Sequence, residues 1–468
     1  MTRRRMLATV PAAALGAQTR RKPNVIWIMA DDLGIGDLGC YGQKHIKTPN
    51  VDSLARDGMR FTDAYAGCTV CAPSRSVLMT GLHMGHTPVR SNPGGVPLLE
   101  SEFTVASLFK QAGYATGCFG KWGLGNIGTP GVPWKKGFDE FYGYLHQAHA
   151  HYFYPRYLWW NDKQDILPGN EKGARVTYSH DKIAERGLDF LRRNKDKPFF
   201  AYFPFTIPHL ELLVPEDSRK PYRDRFPEKP YVDPRRHYAD QPESRATYAG
   251  MVSRLDGDVG RILAFLKENN LEKDTLVIFT SDNGGATRLW GEDFFRSNAD
   301  FRGNKQLMYE GGIRTPLLAR WPERIKAGST SGHVCSFADF MATAAEITGQ
   351  KAPAGGDGIS FLPVLEGRKQ KAHEYLYWEL PRYDAKTGTF PDEVPMQALR
   401  QGNWKAVRPK PGAPLEIYNL AEDPGETKDL AGAKPEVRER LEGLLKAARR
   451  PPRAQSEPPH RHWEGPDA

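Results

Sequence analysis

The chain has 468 residues, with 65 Lys and Arg against 56 Asp and Glu, a formal charge of +9. Its 39% hydrophobic and 26% charged residues exclude wholesale disorder. No apolar run reaches the roughly 18 residues that a spanning helix needs, and the length predicts one large domain beside a smaller one.

Residues 1–22 hold Arg3, Arg4, Arg5, Arg20, Arg21 and Lys22 and no acid, so they carry +6. The arginines precede a short Ala-rich apolar stretch, Leu7 to Ala17, with small residues near its end. A charged start, a weak apolar core and small residues describe an export signal, and adjacent arginines favour the twin-arginine type. A plain basic start is the alternative. The reading predicts a protein exported to the periplasm or beyond the cell. Residues 446–468 carry +2, which leaves +1 for residues 23–445. A nucleic-acid binder carries its excess charge on the folded surface; this body is nearly neutral, so nucleic acid is excluded as partner.

Asn24 to Ala30 is a continuous apolar run, read as a strand buried on both faces. It ends in Asp31-Asp32, followed by Gly34 and Gly36. A capped helix is predicted over 104–111, stopping at Gly113, and another over 178–194. Residues 198–203 read as a second strand. Residues 244–270 carry Met251, Val252, Leu255, Val259, Ile262, Leu263 and Leu266 at helical spacing. Residues 275–281 read as a third strand, ending in Asp282-Asn283-Gly284-Gly285, and 338–348 as a helix stopped by Gly349. Alternating strands and helices predict an α/β fold with a large, mostly parallel central sheet flanked by helices. Ligands of such sheets sit beyond the carboxyl ends of the strands, where both acidic clusters fall. From residue 366 to 450 the pattern changes to short strands, at 374–379, 404–408 and 415–420, with a closing helix from Pro435. This predicts a small α+β domain after a domain spanning 23–365. The Pro-rich tail, 451–468, is predicted to be disordered.

The five cysteines, Cys40, Cys68, Cys71, Cys118 and Cys335, are too few for a disulfide scaffold. The Cys68-x-x-Cys71 pair lacks the second pair that zinc requires and the small unit that redox chemistry requires. Two constellations carry chemistry. Asp31, Asp32, Asp282 and Asn283 offer three carboxylates and an amide oxygen, a set that suits calcium or magnesium; turn chemistry alone also favours these residues. Cys71-Ala72-Pro73-Ser74-Arg75 places a cysteine at a predicted helix start, since Pro73 suits a first turn and Gly81 an end. Free N–H groups there favour an anion, and Arg75 lies four residues on, able to grip an oxyanion. A buried cysteine beside a helix cap is the plainer reading.

The segment CAPSR resembles the Cys-x-Pro-Ser-Arg signature of the type I sulfatases, a family of the alkaline phosphatase superfamily. Other segments agree in order: NVIWIMADDLGIGDLGCYG resembles the first strand and metal loop, GKWGLG at 120–125 the lysine–tryptophan segment, SDNGG and FRGNKQLMYEGGIRTP the later metal loop and lysine segment, and GNWKAVRP with IYNLAEDPGETKDLA the small domain, whose sheet is antiparallel in that fold. The resemblance covers about residues 23–448. It implies hydrolysis of sulfate esters, on a sulfated carbohydrate or an aryl sulfate. Cys71 would be converted by a formylglycine-generating or anaerobic sulfatase-maturing enzyme to formylglycine, whose hydrate is the nucleophile. Asp31, Asp32, Asp282, Asn283 and modified Cys71 would bind calcium, with magnesium second. Arg75, Lys121, His209 and Lys305 would hold the sulfate and leaving-group oxygens, with His209 or Lys305 protonating the alcohol. A second hydroxyl on residue 71, which serine lacks, would then expel the sulfate.

The family often carries a histidine two residues after the lysine as base for that expulsion; here the position is Gly123. His83, His86, His149 and His151 are the alternatives, and the sequence does not rank them. The aromatic stretch 146–160 contains His149 and His151 and is expected to line part of the substrate pocket, since aromatic faces stack on sugar rings; a packed core segment is the other reading. A phosphonate or phosphate diester hydrolase is the runner-up activity. An inactive glycan-binding relative is a third reading, against which the intact nucleophile and metal positions argue.

Overall fold

The computed structural model describes residues 22–92, 96–384, 387 and 389–452. The predicted export signal, except Lys22, and the tail beyond residue 452 lie outside the described residues. The strands, in chain order, are β1 (Asn24–Ala30), β2 (Met59–Phe61), β3 (Ala64–Tyr65), β4 (Ala115–Lys121), β5 (Glu140–Tyr144), β6 (Tyr157–Trp160), β7 (Lys163–Ile166), β8 (Phe199–Pro204), β9 (Thr275–Ser281), β10 (Leu317–Arg320), β11 (Ser329–Ser331), β12 (Cys335–Ser336), β13 (Leu376–Leu380), β14 (Met396–Gln401), β15 (Trp404–Arg408) and β16 (Glu416–Asn419). Ten of them form one mixed sheet in the order β11-β2-β10-β9-β1-β8-β4-β5-β6-β7. Its centre, β9-β1-β8-β4-β5, is parallel throughout. Antiparallel strands enter only toward the edges, β10 beside β9 and β6 beside β5.

The apolar run of β1 follows from its central place. Val25, Trp27 and Met29 point into one hydrophobic core and Ile26, Ile28 and Ala30 into another, on the opposite face, as the two-residue period of a strand dictates. The first core is closed by helices Cys71–Thr80, Val105–Gln111 and Asp339–Thr348, the second by Pro49–Arg56, Ser179–Asn194 and Ser244–Glu268. Thr104 caps its helix as predicted, its hydroxyl accepting from the Ser107 N–H at 3.2 Å.

β12 and β3 pair as a short parallel two-stranded sheet, and the four-stranded sheet β13-β14-β15-β16 is antiparallel and packs beneath helix Pro435–Ala447. Leu399, Ala406, Ile417, Leu441 and Leu445 from this unit join the first core of the large sheet, so the two sheets share one apolar interior. Strand β4 escapes an apolar-run search because it reads ATGCFGK. Gly120 within it is required: its φ is +142°, and a Cβ there would fall on the Pro204 carbonyl of the neighbouring strand.

Candidate active site

Four adjacent parallel strands deliver the site. β9 and β1 are in register, with Ala30 opposite Ser281, so the next residues, Asp31 and Asp282, emerge side by side. Lys121 is the last residue of β4, and His209 follows β8 after a short turn. Asp32 adopts the left-handed region, φ 67°, which Asp tolerates better than most residues, and its N–H donates to Asp282 Oδ1 at 3.2 Å. Asn283 Nδ2 donates to Asp32 Oδ1 at 2.8 Å, while Asn283 Oδ1 is buried without a partner.

Above these strand ends stands helix Cys71–Thr80. Gly81 ends it at φ 70°, the left-handed cap conformation. Its start carries no side-chain cap, leaving its first N–H groups to an anion. Cys71 Sγ lies 3.3 Å from Asp31 Oδ1. One turn on, Arg75 donates to Asp31 Oδ2 at 3.2 Å, to Asp282 Oδ2 at 2.8 Å, and to the Lys121 carbonyl. Lys121 Nζ is 2.7 Å from Asp31 Oδ2. From the opposite side Lys305 Nζ reaches Asp32 Oδ2 at 2.7 Å and His209 Nε2 at 3.2 Å. Nine of the sequence-predicted residues therefore converge: Asp31, Asp32, Cys71, Arg75, Lys121, His209, Asp282, Asn283 and Lys305.

The electrostatics invite a cation. Burial and the charge of Asp31 push Asp282 up to about 6. Asp31 is held below the usual carboxylate range: burial opposes this, but Lys121, His209, Arg75 and Lys305 outweigh it. Donor atoms of Asp31, Asp32, Cys71 and His209 lie within 4.8 Å of one another, and the orphaned Asn283 oxygen adds a further hard donor. Three carboxylates and a carbonyl oxygen fit a hard divalent cation. Burial, then Asp282 and Asp31, push the Cys71 thiol well above its ordinary value. An unmodified Cys71 is therefore a protonated thiol, and a thiol of this kind is not a nucleophile. His209 is lowered to about 4 by burial and Lys305. Lys305 stays charged because Asp32 outweighs the cost of its burial.

The site opens into a cleft of about 1170 Å³, lined by Asp32, His151, His209, Tyr238 and Lys305 and by segments 230–235 and 380–383. That volume exceeds the ~300–1,000 Å³ typical of pockets for one small ligand. Of the four alternative histidines, His151 is the one in the cleft. Its ring stacks on His209 at 4.8 Å with 16° between planes. His149 is 2% exposed and packs against Tyr144 and Tyr157, away from the cleft lining. His83 and His86 stack on each other and pair with Asp357, beyond the far end of the cysteine helix.

Two residues that the sequence did not signal join the site. His237 and Tyr238 approach His151, at 2.8 Å and 3.4 Å; both lie in a polar segment with no element of its own. Gln147 covers Gly123. Gly123 has φ +77°, a Cβ on it would meet the Gln147 side-chain nitrogen, and both polar atoms of Gln147 are buried without partners.

Comparison with known proteins agrees with this geometry. The profile of the family described as Sulfatase matches residues 23–350, and that described as N-sulphoglucosamine sulphohydrolase, C-terminal, matches residues 302–450. Arylsulfatase A of Homo sapiens is 32% identical over 492 aligned positions, covering 92% of this chain and 89% of its own. N-acetylgalactosamine-6-sulfatase of Canis lupus familiaris is 29% identical, covering 92% and 86%. The crystal structure of Ps i-CgsB in complex with k-i-k-neocarrahexaose superposes with a TM-score of 0.76 at 28% identity, over 92% of this chain and 93% of that one. A cysteine at a bare helix start, facing buried carboxylates and ringed by cations, thus sits in a chain matched along nearly its whole described length, and the chain belongs to the sulfatase family, as a sulfuric ester hydrolase.

Proposed function

We propose that the protein removes sulfate from a sulfated carbohydrate, after export and after conversion of Cys71 to formylglycine by a maturing enzyme. The observation that carries the reading is the convergence of Arg75, Lys121, Lys305 and His209 on the carboxylate cluster that Cys71 faces at the open start of its helix. A cleft larger than one small ligand supports a saccharide as the substrate, and so does the hexasaccharide held by the similar Ps i-CgsB.

Asp31, Asp32, Asp282, Asn283 and residue 71 would hold calcium. When bound, the cation supplies charge stabilisation for the sulfuryl oxygens and acidifies a hydroxyl on residue 71. Arg75 and Lys121 neutralise the sulfate as it enters and fix its orientation. His209 Nδ1–H donates to the Leu210 carbonyl at 3.1 Å, an assignment made from the hydrogen-bond network. Its Nε2 then carries a lone pair and accepts from Lys305. Lys305 is accordingly the proton-bearing group at the leaving oxygen, and His209 aims it. His151, beside both, is the proton acceptor that replaces a histidine at position 123.

The test uses full-length protein coexpressed with a maturing enzyme. The peptide containing residue 71 is expected to lose the mass difference between thiol and aldehyde. The protein is expected to release sulfate from nitrophenyl sulfate and from defined sulfated saccharides in preference to phosphate diester analogues. Matured protein that turns over the diesters faster, or an unmodified Cys71 in an active preparation, overturns the reading.

A further inference from the structure

We propose that His237 is a positioning residue for catalysis: it holds His151 by Nδ1 and so leaves Nε2 as the nitrogen that exchanges protons with the reaction end of the cleft. The inference rests on His151 as proton acceptor.

His151 is fixed on three sides, the Tyr238 hydroxyl standing 3.4 Å from its Nδ1. Its Nδ1 lies 2.8 Å from His237 Nε2, with the rings edge to face at 87°, and one ring face lies flat on His209. His237 is itself held from below. The buried Asp233 carboxylate accepts the backbone N–H of His237 at 2.7 Å and that of Tyr238 at 2.9 Å. Asp233 N–H in turn donates to Asp240 Oδ1 at 3.1 Å, closing the segment on itself. His237 Nδ1 faces the Tyr152 hydroxyl at 3.4 Å.

An imidazole with one nitrogen engaged can transfer a proton only through the other. Two arrangements satisfy the His151–His237 contact, and the charges around it choose between them. Burial first, then His209, Lys121 and Lys305, oppose a positive charge on the ring of His151 in the free enzyme. A lone pair on Nε2 suits two nearby ammonium groups better than an N–H does. Nδ1–H therefore donates to His237 Nε2. During sulfate release a proton passes from a hydroxyl at the reaction end to His151 Nε2. As that proton leaves, the C=O bond of residue 71 re-forms and its C–O bond to sulfate breaks, so sulfate departs with the bonding pair; the proton then passes to water, and no oxidation state changes.

Matured full-length enzyme assayed with nitrophenyl sulfate tests this. His151→Ala is expected to lower kcat about 100-fold, the lower end of general-base contributions, with KM within about threefold. His237→Ala is expected to lower kcat about 10-fold, also with little change in KM. The double variant is expected to be no slower than His151→Ala alone, because the two act as one unit. His237→Gln keeps a polar partner for Nδ1 and is expected to recover most of the loss. Full kcat in His151→Ala overturns the base assignment and the inference with it. A slow His151→Ala beside a fully active His237→Ala overturns the inference alone. So do additive losses with no recovery by glutamine, since a purely packing role would behave that way.

Discussion

Lys405 offers a measurable link between the small sheet and the active site. It lies on β15, fully buried, 2.8 Å from both Glu310 Oε1 and Glu426 Oε1, and neither carboxylate is exposed. Glu310 opens helix Glu310–Ile313, five residues after Lys305, and Arg302 of the same loop donates to the Glu426 carbonyl at 2.9 Å. The cluster therefore clamps the loop that delivers Lys305. Replacing Lys405 with Met keeps the volume and removes the charge. Breaking a buried ion pair by removing one partner costs about 3–5 kcal/mol. Glu310 keeps Arg314 at 2.6 Å, and Glu426 is pushed up to about 7 by burial and Glu310, so it sheds its charge readily. The cost belongs at the lower end, about 3 kcal/mol. At roughly 2.1 cal/mol/K of unfolding entropy per residue, this chain of 468 residues gains about 1 kcal/mol/K on unfolding, so Tm falls by about 3 °C. Calorimetry on Lys405→Met reads the shift, and kcat on nitrophenyl sulfate is expected to fall severalfold with it. An unchanged or raised Tm with unchanged kcat refutes the clamp.

Three further outcomes are expected. Because Glu426 holds its proton up to about pH 7 in the fold but only to about 4.5 when unfolded, the folded state binds the extra proton between these values, and stability falls as pH rises through that window. Glu426→Gln is expected to match the parent at pH 5 and to exceed it by up to ~3 kcal/mol at pH 8; thermal melts at both pH values check this, and the reverse order contradicts it. A chelator is expected to abolish turnover and added calcium to restore it, while Asp282→Ala retains less metal by elemental analysis. The pair His83→Ala and His86→Ala together is expected to leave kcat within about twofold, because a ten-residue helix, roughly 15 Å long, separates them from Cys71; a hundredfold loss would instead place the proton acceptor there.

The strands at 24–30 and 275–281 were legible because burial on both faces makes them unbroken apolar runs, and the acids after them marked the site at once. β4 was not, since its glycines answer to backbone approach by a neighbouring strand rather than to any pattern of polarity. β14 was hidden for a different reason: Met396–Gln401 mixes polar and apolar residues. Gln397 bonds to the Tyr377 hydroxyl and Arg400 to Asp63, contacts that span large sequence distances. In the site, Cys71, Arg75 and the acids announced themselves by residue type and spacing. The ranking of His149 against His151 could not be read from a sequence in which they stand two residues apart. A single 3-10 turn, His149–His151, turns one toward Tyr144 and Tyr157 and the other into the cleft. His237 is 86 positions from its partner, and nothing in its neighbourhood marks it.

Gly123 and Gln147 make the effect of a substitution at 123 depend on the residue at 147. A histidine introduced at 123 alone meets a left-handed backbone, at roughly 1–2 kcal/mol for a side-chain-bearing residue, and must also displace the Gln147 end group. Shortening Gln147 removes two buried polar atoms that have no partner and frees the space above Gly123. A histidine at 123 is therefore unfavourable while Gln147 keeps its length.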